Sequence, residues 1–322
     1  MSRPAPLPST HHHQRRRHRT AMTTLTQPAA ADLARTPGAD LSRPSSYYKP
    51  GEHHAPENEI HRLRQQVAAS WGKEARILRE FGLTTDSDVL EIGSGPGYIT
   101  ERLLEEVPDG TVTCLELNED LIEHARGHLA PARPEQLTLV QGSVLESGLP
   151  SDAYDLAHAR LVLQHVPHTA DALAEIHRTL RPGGRLAVID VDDALWGLLH
   201  PQPELPEFDE VVRLRIELQA GRGGNRLIGR EMGRLMREAG FTDIKVEAVA
   251  ISSEEVGMDV LAPQLDIRSR TAAMVAVNPA AQRPCEVTAD AMDEFLARPD
   301  ASMMLVFFMF SGTKPATAGG AR

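Results

Sequence analysis

From position 88 onward, short apolar runs alternate with stretches in which apolar residues recur every three or four positions. The runs at 89–92 (VLEI), 111–117 (TVTCLEL), 137–141 (LTLVQ), 154–159 (YDLAHA) and 185–191 (RLAVIDV) read as strands, because they are short, rich in β-branched residues and bounded by turn formers. Between them, 97–107, 119–129 and 170–180 carry the helical period. Strands separated by helices of this length predict right-handed crossovers and a parallel sheet covered on both faces. The fold class is therefore α/β. Ahead of the sheet, Ile60, Leu63, Val67, Trp71, Ala75, Leu78 and Phe81 step by threes and fours, with Gly72 leaving one helix or two short ones open. Pro201, Pro203 and Pro206 then break the rhythm. It resumes with helices at 207–220 and 229–239, Gly240 at a C-cap position, a strand at 241–249, mainly helical sequence at 253–300, and a last buried strand at 303–310 (MMLVFFMF).

The organisation expected is one domain over 47–314, with a helical segment at 47–82 and a Pro-rich, helical insertion at 192–228. Residues 1–46 have neither period and read as a disordered tail, as do residues 315–322. An Arg-rich start without an apolar core is no secretory signal. Met22 opens a more ordinary stretch, so it is expected to be the true start, with residues 1–21 coming from upstream sequence.

Composition narrows the function. The chain has 322 residues, 41% hydrophobic and 25% charged, as an ordinary globular protein does. Arg3, Arg15, Arg16, Arg17 and Arg19 lie ahead of any acid, and removing those five cations from the formal net charge of −11 leaves −16. So acidic a body repels phosphate backbones, which argues against nucleic acid as a partner. Two cysteines, Cys114 and Cys285, make no disulfide framework and lack metal-ligand spacing, which fits a reducing cytoplasm. The apolar run 303–310 falls far short of the ~20 residues a membrane helix needs, so no membrane partner is expected.

The most informative segment is EIGSGPG (91–97), where a strand enters a glycine-rich turn that opens a helix. Such turns hold a ligand against backbone N–H groups. Dinucleotide enzymes require G-x-G-x-x-G, and Tyr98 stands where the third glycine belongs. Glu91 just before the turn opposes a pyrophosphate but suits an ammonium group. S-adenosylmethionine carries an ammonium and a sulfonium cation, and no phosphate. Glu116, at the end of the second strand, is placed to accept hydrogen bonds from two ribose hydroxyls. The third strand runs into Gly142-Ser143-Val144, a polar and an apolar residue for an adenine edge, and the fourth into Ala159–Val166, which contains His165.

EIGSGPG, CLELN, GSV, YDLAHARLVLQHV and LRPGGRLAVID occur in the order of the successive motifs of class I S-adenosylmethionine-dependent methyltransferases, which the chain resembles over roughly residues 60–250 and again in the final strand ending SGTKP. The resemblance implies a Rossmann-like, seven-stranded, mostly parallel sheet, its last strand antiparallel beside the fifth. It implies S-adenosyl-L-methionine over the carboxyl ends of strands one to four, with S-adenosyl-L-homocysteine as product. Carried over position by position, Glu91, Gly93, Ser94, Gly95 and Gly97 match the methionine-binding loop, Glu116 the ribose acid, Leu117 the residue beside the adenine ring, and Ser143 with Val144 the adenine edge. Many members have Asp where Ser143 stands. Arg160, through its backbone, with Leu161 and His165 follow the fourth strand, and Tyr47 and Tyr48 lie on a segment that folds over the cofactor as a lid in many relatives.

Methyl transfer is an in-line displacement, so the protein's main task is to align donor and acceptor. His165 is the best candidate for a base, near the edge where the acceptor must sit. Asp190, Asp192 and Asp193 invite a metal, but strand alternation sends them to different faces, so no metal site is expected and solvation at a strand end is favoured. Arg222, Arg226 and Arg230 read as surface arginines flanking the glycine-rich GRGGNRLIGR stretch. The expected acceptor is small and aromatic or partly apolar, because the insertion carries Leu, Trp196 and Phe208. The IDVDDALW and GRGGNRLIGREMGRLMREAGF segments look like those of bacterial natural-product methyltransferases of secondary metabolism, some acting on indole. Carbon, nitrogen and oxygen acceptors stay open, and a homo-oligomer is compatible with the sequence. The rivals are a non-catalytic S-adenosylmethionine-binding module, which would usually lose the glycine loop or Glu116, and an NAD-dependent oxidoreductase, which needs the missing glycine.

Overall fold

In a computed structural model the alternation resolves into five parallel strands: β1 (Asp88–Ile92), β2 (Thr111–Glu116), β3 (Leu137–Gln141), β4 (Tyr154–Arg160) and β5 (Leu180–Asp190). The structure describes residues 56–132, 135–195, 198–203, 205–265 and 267–316. The strands lie in the order β3-β2-β1-β4-β5. The chain thus winds outward from β1 and then returns to its other side. That reversal opens a crevice at the carboxyl ends of β1 and β4, where open α/β sheets bind ligands.

β8 (Ser302–Thr313) runs antiparallel beside β5, from Arg185 opposite Thr313 to Asp190 opposite Phe308. β7 (Thr242–Ser252) pairs antiparallel with its other edge. β8 overshoots the end of β5, and there β6 (Leu198–His200) pairs with Ser302, Met303 and Met304. The insertion therefore adds an eighth strand to the seven expected. Three residues are too few to display an alternation, so its sequence carried no strand signal. β5 also begins at Leu180, taking in the Pro182-Gly183-Gly184 stretch that reads as a turn. Gly183, at φ +85°, accommodates the irregularity there.

The helices α1 (Pro56–Glu80), α2 (Tyr98–Glu106), α3 (Glu119–His128), α4 (Thr169–Thr179), α5 (Pro206–Gly221) and α6 (Ile228–Glu238) precede β7. The helical stretch expected before β8 comprises α7 (Ser253–Val256), α8 (Met258–Leu261), α9 (Arg268–Val277) and α10 (Gln282–Leu296). α1 is one helix, unbroken at Gly72, where a Cβ would meet nothing within 4 Å. The central strands β1, β2, β4 and β5 are buried on both faces. Val89, Val112, Leu156 and Ile189 pack against Leu78 of α1 and Leu103 of α2. Leu90, Ile92, Ala157 and Val188 pack against Leu173 of α4 and Met232 of α6.

One seam between α1 and the sheet is polar. The Arg160 guanidinium turns back under α1. Its Nε lies 3.0 Å from Glu74, and it also donates to Gln66 at 3.1 Å and to Ser70 at 3.0 Å. Glu74 and Ser70 are wholly buried, so the arginine compensates a carboxylate that has no access to water. Next to this seam His158 is also wholly buried, and burial pulls it down to about 4, so it stays neutral. Arg160→Met should cost about 3–5 kcal/mol in denaturant unfolding, since it strands Glu74 as an unpaired buried charge. Adding Glu74→Leu to that variant should restore most of the loss.

Candidate functional site

The chain leaves β1 at Ile92 and enters α2 at Tyr98, turning within five residues. Gly93, Gly95 and Gly97 achieve this at φ +66°, +55° and +87°, conformations that side chains with a Cβ adopt only at a cost. Two of them are also pinched. A Cβ on Gly93 would lie 2.5 Å from Val162, and one on Gly97 would lie 3.0 Å from Leu129. Around Gly95 there is open space. Its N–H donates to Glu116 Oε2 at 2.9 Å, and Glu116 Oε1 accepts from the Asn118 N–H at 2.9 Å. The turn and the end of β2 are thereby clamped together, with a carboxylate beside the open glycine. Burial raises the Glu116 carboxyl above its ordinary range, opposed by backbone N–H donors of Asn118, Gly95 and Leu117.

Glu91 lies beneath the turn. It accepts from Thr100 Oγ1 at 2.6 Å and lies 3.7 Å from the Cys114 sulfur. Burial pushes it up to about 8, against those two hydrogen bonds. The Ser94 hydroxyl, also buried, finds no hydrogen-bond partner among the described residues. Leu117 is 38% exposed beside Glu116, an apolar surface at the end of β2. The Ser143 hydroxyl accepts from the Leu145 N–H at 3.2 Å, and Val144 is half-buried against the core. Leu161 follows β4 at φ +55°, held by its N–H to the Ile189 carbonyl at 2.7 Å. Such a conformation in a branched residue is strain retained at a site edge.

The structure thus brings Glu91, Gly93, Ser94, Gly95, Gly97, Glu116 and Leu117 to one turn. Leu161 and His165 follow β4, whose end meets that turn through Val162, while Ser143 and Val144 follow β3, the neighbour of β2. Arg160 faces α1 with its side chain. Tyr47 and Tyr48 lie outside the described residues, as does Trp196.

The acidic run after β5 differs from expectation. β5 ends at Asp190, and Asp190, Asp192 and Asp193 are all buried, not solvated. Two of the arginines read as surface groups neutralise them. Arg230 Nη2 lies 2.7 Å from Asp192, and Arg226 bonds Asp193 twice at 2.8 Å. Arg215 stands 3.6 Å from Asp193. Asp190 has no such cation. Burial holds it up at about 7, opposed by the Val191 and Gln164 N–H groups. No cluster of three metal-ligating side chains occurs among the described residues.

Two residues that the sequence did not single out complete this edge. Gln164 donates its N–H to Asp190 at 3.1 Å and takes the Arg226 guanidinium on its side-chain oxygen. Gln219 of α5 reaches His165 at 2.9 Å. The one signal for them was the Gly223-Gly224 doublet, a mark of close approach that composition alone reads as loop.

Comparison with known proteins finds similarity to methyltransferases over part of the chain. Residues 90–186 match the family model described as a methyltransferase domain. An uncharacterised protein of transposon TN4556 from Streptomyces fradiae is 33% identical over 162 residues, covering 47% of this chain and 42% of its own. Demethylmenaquinone methyltransferase of Listeria monocytogenes is 27% identical over 147 residues, covering 45% of this chain and 57% of its own. The chain spans about half the length of the curated relatives it matches. Among solved structures, phosphoethanolamine N-methyltransferase 2 of Haemonchus contortus, in complex with phosphomonomethylethanolamine and S-adenosylhomocysteine, superposes with a TM-score of 0.50 at 19% identity, over 76% of this chain and 53% of that one. That likeness is one of fold.

The elevated Glu91 has a measurable consequence. Because folding favours its neutral form, the stability it contributes is complete below its ordinary 4.5 and is lost as pH rises towards about 8. Glu91→Gln keeps a neutral group there. Its melting temperature relative to wild type should therefore rise across that window and level off above it, a gain on the order of a few kcal/mol.

Proposed function

We propose that this chain, whose residues 90–186 form an S-adenosylmethionine-dependent methyltransferase domain, transfers a methyl group to a small, aromatic or partly apolar acceptor. The observation that carries this reading is the left-handed glycine turn clamped to Glu116, with open space at Gly95 and bare Leu117 beside it. A ligand with a ribose diol, an apolar ring and a cationic amino-acid end fits that set. Glu116 would hold the ribose hydroxyls, Leu117 and Val144 the adenine ring, and Ser143 its amino edge. The turn from Gly93 to Gly97, with Ser94 and Glu91, would hold the methionine part. The Glu91 carboxyl would take up its charge against an arriving ammonium, and Leu161 closes the β4 side.

Bound there, S-adenosylmethionine supplies a methyl group already activated on a sulfonium and leaves as S-adenosylhomocysteine. The remaining work is positional. The chain must hold the acceptor in line with the methyl and keep water away, which by itself lowers a barrier substantially. The acceptor's proton departs to solvent.

A relative named for demethylmenaquinone agrees with an aromatic acceptor. Isothermal titration should give binding of S-adenosylmethionine and S-adenosylhomocysteine and none of NAD. Gly95→Val should abolish it, because φ +55° strains a β-branched residue. Glu116→Ala should weaken it by about 10- to 150-fold, the loss of hydrogen bonds to a charged group. Equal binding of NAD, or full affinity in both variants, would overturn the reading.

A further inference from the structure

We propose that Gln219 fixes His165 in the Nε2–H tautomer, so that this histidine serves the end of β4 as a hydrogen-bond donor and not as a base. The inference rests on the reading above only in giving the end of β4 a side of the ligand site. His165 closes the short helical turn Leu163–His165 that follows β4 and is buried. Its Nδ1 lies 2.9 Å from the side-chain amide nitrogen of Gln219, which is buried too.

An amide nitrogen and oxygen are told apart by their surroundings. Here the Gln164 carbonyl does so, since it can only accept and lies 3.3 Å from the same Gln219 nitrogen. Turned the other way, the amide would set oxygen against oxygen. The Gln219 NH2 group therefore spends one hydrogen on the Gln164 carbonyl and the other on His165. Nδ1 must then offer a lone pair, and the ring proton sits on Nε2. An imidazolium would oppose N–H to N–H across that 2.9 Å contact.

The clamp is built so that it cannot slide. Gly224 donates its N–H to the Gln219 carbonyl at 2.9 Å, and Asn225 donates to the Gln164 carbonyl at 2.8 Å. A Cβ on Gly224 would stand 2.3 Å from the Gln219 amide nitrogen and 2.4 Å from the Gln164 oxygen. Gly223 adopts φ +88°, where a Cβ would press on Pro167 at 3.0 Å. Arg226 then ties Gln164 to Asp193. The glycine doublet thus serves as the cradle of a positioning residue, Gln219, which acts through His165.

Abstracting a proton needs a free ring lone pair, and Gln219 occupies the one that neutral His165 has.

Nitrogen NMR tests this directly. Long-range 1H–15N correlation of the 15N-labelled full chain reads the protonation of each ring nitrogen among the 14 histidines, with His165→Asn assigning the signal. The expected spectrum shows His165 protonated at Nε2 and bare at Nδ1, without titration between about pH 6 and 8. Gln219→Glu replaces the donor with an acceptor and should move the proton to Nδ1. A wild-type spectrum with the proton on Nδ1, or with both nitrogens protonated near neutrality, overturns the proposal even if Gln219→Glu fails to fold. The spectrum is recorded without cofactor or acceptor, so its outcome is separate from that of the titrations above.

Discussion

The carboxyl edge of the sheet depends on a turn that must carry the chain from β1 into α2 within five residues. A side chain at Gly93 would drive into Val162, and one at Gly97 into Leu129, so the turn closes only because these residues have none. The Gly95–Glu116 hydrogen bond then fixes the turn against β2. With β1 and β2 locked at this spacing, the ends of β4 and β5 fall into place beside them through ladder pairs that begin deep in the core.

Charge is managed around this edge in two ways. Where a cation is within reach, the buried carboxylate is paired with it, as Glu74 is with Arg160 and Asp193 with Arg226. Where none is, burial drives the group towards its neutral form, as at Glu91 and Asp190. These two groups stand at the ends of β1 and β5, so the edge holds two carboxyls poised to respond to an arriving charge. Such displaced groups cluster where ligands bind.

The strand order, the glycine turn and Glu116 were legible because each depends on near neighbours in sequence and on residue types with few alternatives. The same reasoning failed where partners are distant. Nothing in the segment DVDDAL announces that Arg226 and Arg230 will fold back onto Asp193 and Asp192, so the acids looked solvated and the arginines superficial. Gln219 reaches His165 from 54 residues away, and a glutamine on a helix carries no pattern of its own. Arg160 was placed by its backbone, and only the packing of α1 reveals where its guanidinium goes. β6 was invisible because it borrows its order from the overhang of β8.

The most direct test of the account is a crystal structure of the full chain grown with S-adenosylhomocysteine. The ribose hydroxyls should lie within hydrogen-bond distance of Glu116, the adenine against Leu117 and Val144, and the amino-acid end against the turn from Gly93 to Gly97. A ligand bound elsewhere, or density at this edge that leaves Glu116 without contact, would contradict it.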